Sequence, residues 1–437
     1  SNLGFADAMR IAEARGDLRY FGIRHEGAAS FAASAYGKLT GDVAACFAIA
    51  GPGSTNLLTG LYDAKADRAP VLALSGQVPS RVKGRGAFQD VDLEGAFADV
   101  AAYSQTVLRG ADYPELMNMA CKTAVVQRDV AHLVLPDEVQ VRPSRAEPGG
   151  PLGRVPSRQI APPAEALDLA AEMITGSSRP MMIVGHGARN DIDAITALAE
   201  HLGTPVATTF KGKGAISDDH ELACGVLGRS GTPMASWFMN ESDLLVVFGA
   251  SFSTHTGIAT YKPIIQVDDD PWALGRFDSI DVPVQGNAAV TARAMLDALD
   301  THDCVDHRSE VAERWAIWRE EKNSRRHDDH DAGISAAALF AAMTRTVPSD
   351  AVLAVDVGNN TYSFGRYFEV SGGQDVLMSG YLGSIGFALP AAMGAWAAVG
   401  DERPVIGISG DGGFGQYAME LTTLAKYGMD ITHVILN

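Results

Sequence analysis

The chain has 437 residues, of which 46% are hydrophobic, 20% charged and 7% aromatic; that length suits two to four domains. Its formal net charge of −18 argues against a general nucleic-acid binder, because phosphate backbones demand a positive surface. No run approaches the roughly 18 uninterrupted apolar residues of a membrane span. Cys46, Cys121, Cys224 and Cys304 lie far apart and match no zinc or disulfide spacing, which points to a reducing, cytoplasmic setting. Ser1 is not an initiator, and the sequence stops on an apolar strand, "DITHVILN". The chain therefore reads as a piece of a longer protein, since a buried strand left as a raw end would fray.

Strand-like and helix-like stretches alternate throughout, the pattern of parallel α/β sheets. The first third supplies "LRYFGI" (Leu18–Ile23), "AACFAIA" (Ala44–Ala50), "VLALSGQ" (Val71–Gln77) and "AHLVLPD" (Ala131–Asp137). Their near-continuous apolarity predicts strands covered on both faces. The first of them runs straight into Arg24-His25-Glu26 and a helix rich in Ala and Ser. A charge at the buried end of a strand is costly, so Glu26 needs a reason to be there. It is either a working carboxyl, or an N-capping-box residue, or a partner for Arg24; His25 reads as structural.

A Pro- and Gly-rich stretch, Val141–Pro163, reads as a linker. A second block follows with "MMIVGHG", "PVATTF", "DLLVVFGAS" and "PIIQVDDDP", ending near Leu299. Residues Thr301–Asp331 are charge-rich; "HDDH" (His327–His330) has a metal-like composition but reads as a solvated tether. The third block, from Gly333, carries "AVLAVDVGNN", "PVIGISGDGG" and "THVILN". The expected architecture is three doubly wound parallel-sheet α/β domains in series, over residues 1–145, 160–300 and 333–437.

In the last block a strand ends in Gly410-Asp411-Gly412-Gly413. Glycines there let the backbone approach a ligand, the following helix start favours an anion, and an Asp can hold Mg²⁺ against a diphosphate. By itself "GDGG" is also a common tight turn. The whole segment Val405–Asn437, however, resembles the thiamine-diphosphate motif of the enzyme family that includes acetolactate synthase and pyruvate oxidase. That motif is GDG, an intervening stretch, and a pair of asparagines closing the next strand; Asn437 stands at the first asparagine. Further segments resemble the same family in the same order: "IRHEGAASFAASAYGKLTG", "GPGSTNLLTGLYDAKADRAPVLALSGQVP", "GRGAFQDVDLEGAF" and "YLGSIGFALPAAMGA". "AVDVGNN" is similar to its first diphosphate-contacting turn.

The resemblance implies roles. Glu26 would hydrogen-bond N1′ of the cofactor's aminopyrimidine, with burial raising its pKa towards the operating pH. Gly51 and Gly53 belong to the GPG loop; Phe88 and Gln89 would line the substrate side. Gly358, Asn359 and Asn360 would contact phosphate, with Asp356 as a turn cap. The carbonyl of Gly383 would accept from the 4′-amino group, and Ile385 would wedge the two rings together, an apolar exchange for the Met common in acetolactate synthases. Gly410, Asp411, Gly412 and Gly413 would hold the diphosphate, Asp411 as the Mg²⁺ ligand and Asn437 as its neighbour.

The cofactors implied are thiamine diphosphate and Mg²⁺. The middle block's "TTFKGKGAI", "FGASFSTHTG" and "QVDDDPWALGRF" resemble the family's FAD-binding domain, so FAD is possible, as is an empty scaffold. The implied activity is decarboxylation of a small 2-oxo acid, pyruvate in the first instance, with transfer of the resulting unit. The acceptor is a second 2-oxo acid, an aldehyde, phosphate or an electron acceptor. In the family Glu26 and Asp411 of one site come from different subunits, which implies a homodimer or homotetramer. Two other readings stay open. A nicotinamide oxidoreductase would need the GxGxxG that "IVGHGARN" lacks, and a non-catalytic relative would have no use for Glu26 and Asp411.

Overall fold

The computed structural model describes residues 2–109, 112–144, 149–299, 304–327 and 333–437. The segment holding most of "HDDH" lies outside them. Three sheets organise the chain, and every strand pair with a described register is parallel. Residues 1–156, 352–358 and 377–437 form one compact unit, and residues 157–351 and 359–376 form a second.

The first sheet contains β1 (Ala44–Ala48), β2 (Val71–Gln77), β3 (Tyr103–Thr106) and β4 (Val130–Pro136), ordered β1-β2-β4-β3. Every residue of β2 and β4 is buried. Their apolar runs serve two cores at once, because successive side chains point to opposite faces. Val71 and Ala73 pack with Leu57, Leu61 and Phe97, whereas Leu72 and Leu74 pack with Ala120, Leu133 and Leu135.

The strand expected over Leu18–Ile23 does not form; the segment lies outside the sheet. Its apolar residues answer to a different surface. Phe21 meets Trp396 and Tyr427 edge-on, and the N–H of Gly22 donates to the Tyr427 hydroxyl at 2.6 Å instead of to a neighbouring strand.

The second unit's sheet comprises β5 (Pro180–Val184), β6 (Val206–Thr208), β7 (Ala223–Val226), β8 (Leu244–Phe248), β9 (Ile264–Asp268) and β10 (Val282–Gln285), ordered β10-β9-β8-β5-β6-β7. The winding direction reverses between β5 and β8, the switch point of a doubly wound sheet. The strands β7 and β10 were not expected: β7 contains a glycine, and β10 alternates buried and exposed residues.

The third sheet holds β11 (Val352–Val355), β12 (Asp375–Met378), β13 (Val405–Gly410) and β14 (Ile431–Leu436), ordered β12-β11-β13-β14. Within the first unit the helices Glu26–Thr40 and Ala388–Val399 meet backbone to backbone. A Cβ on Gly394 would lie 2.1 Å from the carbonyl oxygen of Ala32, so only glycine permits that approach.

A buried ion cluster sits beside this helix pair. The Lys38 ammonium donates to Asp63 Oδ2 (2.7 Å) and to the carbonyl of Met378 (2.9 Å), and pairs with Asp67 Oδ2 at 2.8 Å. Burial pulls the Lys38 pKa down, but the Asp63 and Asp67 carboxylates outweigh it and hold the pKa above its ordinary value. Asp67 also accepts the N–H of Gly380 at 3.0 Å, so the cluster anchors the loop that leads to Gly383 and Ile385. No helix among the described residues is long and apolar enough to cross a membrane.

Candidate functional site

Glu26 opens its helix, and the residue before it makes the cap: His25 Nδ1 accepts the N–H of Gly27 at 3.0 Å. Capping therefore falls to His25, which leaves the Glu26 carboxylate uncommitted to that task. Nor is Arg24 its partner, since the Arg24 Nε donates to Thr422 Oγ1 at 2.9 Å. Glu26 is half-buried rather than sealed, which corrects the expectation of a carboxyl at a buried strand end; with no strand there, the helix start stays partly open.

One short helix, Pro52–Asn56, flanks its carboxylate. Asn56 Nδ2 donates to Glu26 Oε2 at 3.1 Å, and Oε1 lies 3.1 Å from where a Cβ on Gly53 would sit. Gly51 (φ +67°) is held against Gln89, whose Cβ would be 2.9 Å from a Cβ at position 51; Gln89 itself is left-handed at φ +61°. The structure thus gathers Glu26, Gly51, Gly53 and Gln89 in one place. Phe88 is 88% exposed, a large apolar ring facing solvent next to that group.

The second group lies at the C-terminal ends of β11 and β13. The β13–β14 ladder ends with Gly410 opposite Leu436; Asp411 opens the helix that follows β13, and Asn437 is the residue after β14. Asp411 and Gly412 are exposed, and a Cβ on Gly412 would meet nothing within 4 Å. Gly413 is different: its Cβ would lie 2.6 Å from Asp356 Oδ2.

Asp356 does more than cap a turn. It is buried, and its carboxylate accepts the N–H groups of Val357 (2.7 Å), Gly386 (2.9 Å) and Ala388 (3.4 Å). Burial raises its pKa, against the pull of those backbone N–H groups. It ties the β11 exit with Gly358, the loop carrying Gly383 and Ile385, and the GDGG turn into one assembly. In that loop Gly383 has φ +68° and Ile385 is 43% exposed, so the apolar side chain is presented outward. Asn359 and Asn360 begin the Asn359–Tyr367 helix of the other unit, Asn359 exposed and Asn360 buried.

These residues fit a metal-diphosphate group. Mg²⁺ is commonly held by one or two protein oxygens plus phosphates and water. Among the described residues no cluster of three or more His, Cys, Asp or Glu could hold a metal unaided. The exposed Asp411 would supply one carboxylate oxygen and leave the remaining positions to phosphate and water, and the open Gly412 would let phosphate reach it. Thiol chemistry is disfavoured in the first sheet, where burial pushes the Cys46 pKa up to about 12.

In the second unit Gly185 and Gly249 close the ends of β5 and β8. A Cβ on Gly185 would lie 2.2 Å from the carbonyl oxygen of Gly249. Two backbones therefore abut at the switch point, where open α/β sheets take nucleotides.

Asn56, Asp356 as a hub, and Glu420 (which accepts the N–H groups of Arg24 and His25) were not singled out by sequence as site residues. Asn56 sits inside the quoted GPG stretch, but no spacing rule pairs it with Glu26.

The N-terminal thiamine pyrophosphate-binding domain model matches residues 1–96, the central domain model of thiamine pyrophosphate enzymes matches 167–296, and the C-terminal binding domain model matches 356–437. A Bacillus subtilis protein named for thiamine pyrophosphate is 34% identical, over 97% of this chain and 73% of its own length. The acetolactate synthase large subunit of Parasynechococcus marenigrum is 33% identical over 99% and 71%. The acetolactate synthase isozyme 2 large subunit of Escherichia coli is 32% identical over 97% and 76%.

Proposed function

Because the chain belongs to the thiamine-diphosphate-dependent enzymes of acetolactate synthase type, a carboligase and transferase class, we propose that it decarboxylates a 2-oxo acid, pyruvate in the first instance, and passes the two-carbon unit to a second 2-oxo acid. The observation that carries this reading is the Glu26 carboxylate, freed from capping by His25 and oriented by Asn56 beside Gly53.

When bound, thiamine diphosphate supplies a carbanion centre and an electron sink. Glu26 would hold a proton against N1′ of the aminopyrimidine, and Asn56 fixes the second carboxylate oxygen so that the first stays aimed. The Gly383 carbonyl would accept from the 4′-amino group, and the outward Ile385 would press between the rings. Asp411 would hold Mg²⁺, with Asn437 as its neighbour; Gly358, Gly410, Gly412 and Gly413 would leave room for the diphosphate. Phe88 and Gln89 would meet the 2-oxo acid and exclude water from it.

Calorimetric titration of the folded protein with thiamine diphosphate and Mg²⁺, followed by a product assay with pyruvate, tests this. Acetolactate is the expected product; acetaldehyde or acetyl phosphate would assign a different acceptor, and no binding would refute the reading. FAD in the second unit is part of the proposal, at the β5–β8 switch point, and a colourless purified protein that takes up no flavin would remove it. A homodimer or homotetramer follows if Glu26 and Asp411 serve different sites; a monomer in sedimentation would oppose it.

A further inference from the structure

We propose that Glu420 is the positioning residue for Glu26, a role that rests on the reading of Glu26 given above. Residues 22–25 lie outside the sheet, so their backbone N–H groups have no strand to pair with, and a buried donor left unpaired is costly. Glu420 answers two of them. Its fully buried carboxylate accepts the N–H of Arg24 (3.1 Å to Oε1, 3.2 Å to Oε2), the N–H of His25 (2.9 Å to Oε1) and the hydroxyl of Thr423 (2.6 Å to Oε2).

The neighbours of Glu420 complete a cradle. The hydroxyl of Tyr427 takes the N–H of Gly22 at 2.6 Å. The hydroxyl of Tyr417 lies 2.5 Å from where a Cβ on Gly27 would be, and its ring meets the His25 ring edge-on at 5.6 Å. Residues on both sides of Glu26 are thus held by the stretch Tyr417–Tyr427. Glu420 takes its bonds from the two residues immediately before Glu26, so it fixes where the helix starts and which way the Glu26 carboxylate points. It acts through the backbone, which makes it a positioning residue and not a catalytic one.

The test uses the whole chain. Site-resolved amide hydrogen exchange without cofactor should show Arg24 and His25 exchanging faster in Glu420→Ala by about tenfold or more, the loss of a bond to a charged acceptor, with β13 and β14 unchanged. Glu420→Gln, which keeps one acceptor oxygen, should fall between, and it carries the test alone if the alanine variant does not fold. Thr422→Val, which loses the Arg24 side-chain bond and the hydroxyl's own bond to the carbonyl of Met419 but none to Glu420, should leave both amides as they are. With thiamine diphosphate and Mg²⁺ bound and no 2-oxo acid present, exchange of the thiazolium C2 proton should slow in the same order. Unchanged protection of Arg24 and His25 would overturn the clamp. Faster amide exchange with C2 exchange unaltered would overturn its link to Glu26. Failure of the wild type to bind cofactor would refute the proposed function, while the amide arm still decides the clamp.

Discussion

His132 should make this protein acid-sensitive between about pH 6.5 and pH 3. The residue is fully buried on β4. Its Nδ1 shares a hydrogen bond with Ser104 Oγ (2.9 Å), its Nε2 shares one with Ser75 Oγ (2.8 Å), and its ring stacks on Phe97 at 3.9 Å. Hydroxyls serve a neutral imidazole well, since each can donate or accept. Burial pulls the pKa down to about 3. The folded-state pKa thus lies below the unfolded value of about 6.5, and the unfolded chain takes up the proton first as pH falls. The stabilisation is therefore complete above about pH 6.5 and drains away towards pH 3. Integrating between those values gives a loss of about 2 kcal/mol at pH 5 and roughly 4–5 kcal/mol near pH 3. Urea melts of the wild type and of His132→Gln at pH 7.5 and pH 5 isolate the effect, because every other titrating group cancels in the comparison. The glutamine variant should be weaker at pH 7.5, through the lost stack, and the gap should narrow by about 2 kcal/mol at pH 5. A gap independent of pH would refute the argument.

Lys38→Met should destabilise the first unit by about 3–5 kcal/mol in denaturant melts, because it strands the Asp63 and Asp67 carboxylates in the interior; a cost under about 1 kcal/mol would show the cluster to be incidental. Gly413→Ala should cost about 1–3 kcal/mol by driving its methyl onto Asp356, and should weaken thiamine diphosphate binding by calorimetry. Asp411→Ala should lower Mg²⁺-dependent cofactor binding by at least about tenfold, the loss of a charged oxygen ligand, with the thermal midpoint of the cofactor-free protein unchanged.

The two ends of the candidate site differed in how far the residues alone disclosed them. The GDGG turn and the Glu26 helix start are local features. Glycines, a carboxylate and an apolar run within a dozen positions carry their own geometry, and the register of β13 against β14 then ends with Leu436 opposite Gly410. Leu18–Ile23 misled because apolarity reports burial and not the partner that provides it: Phe21 is covered by Trp396 and Tyr427, not by a neighbouring strand. The same displacement hid Glu420. Its bonds to Arg24 and His25 span 396 and 395 residues and are made to backbone, so nothing at the receiving end constrains side-chain identity. Asp356 was half-legible for a related reason, a turn cap by local pattern and a hub only once Gly386, Ala388 and Gly413 converge on it.

Side chains that satisfy distant backbone are the fold's way of placing a carboxylate without surrounding it by other charges. Among the described residues Glu26 is left with one neutral side-chain donor, Asn56, and an open side, and that is the environment in which a carboxyl can trade a proton with a bound heterocycle rather than lock into an ion pair.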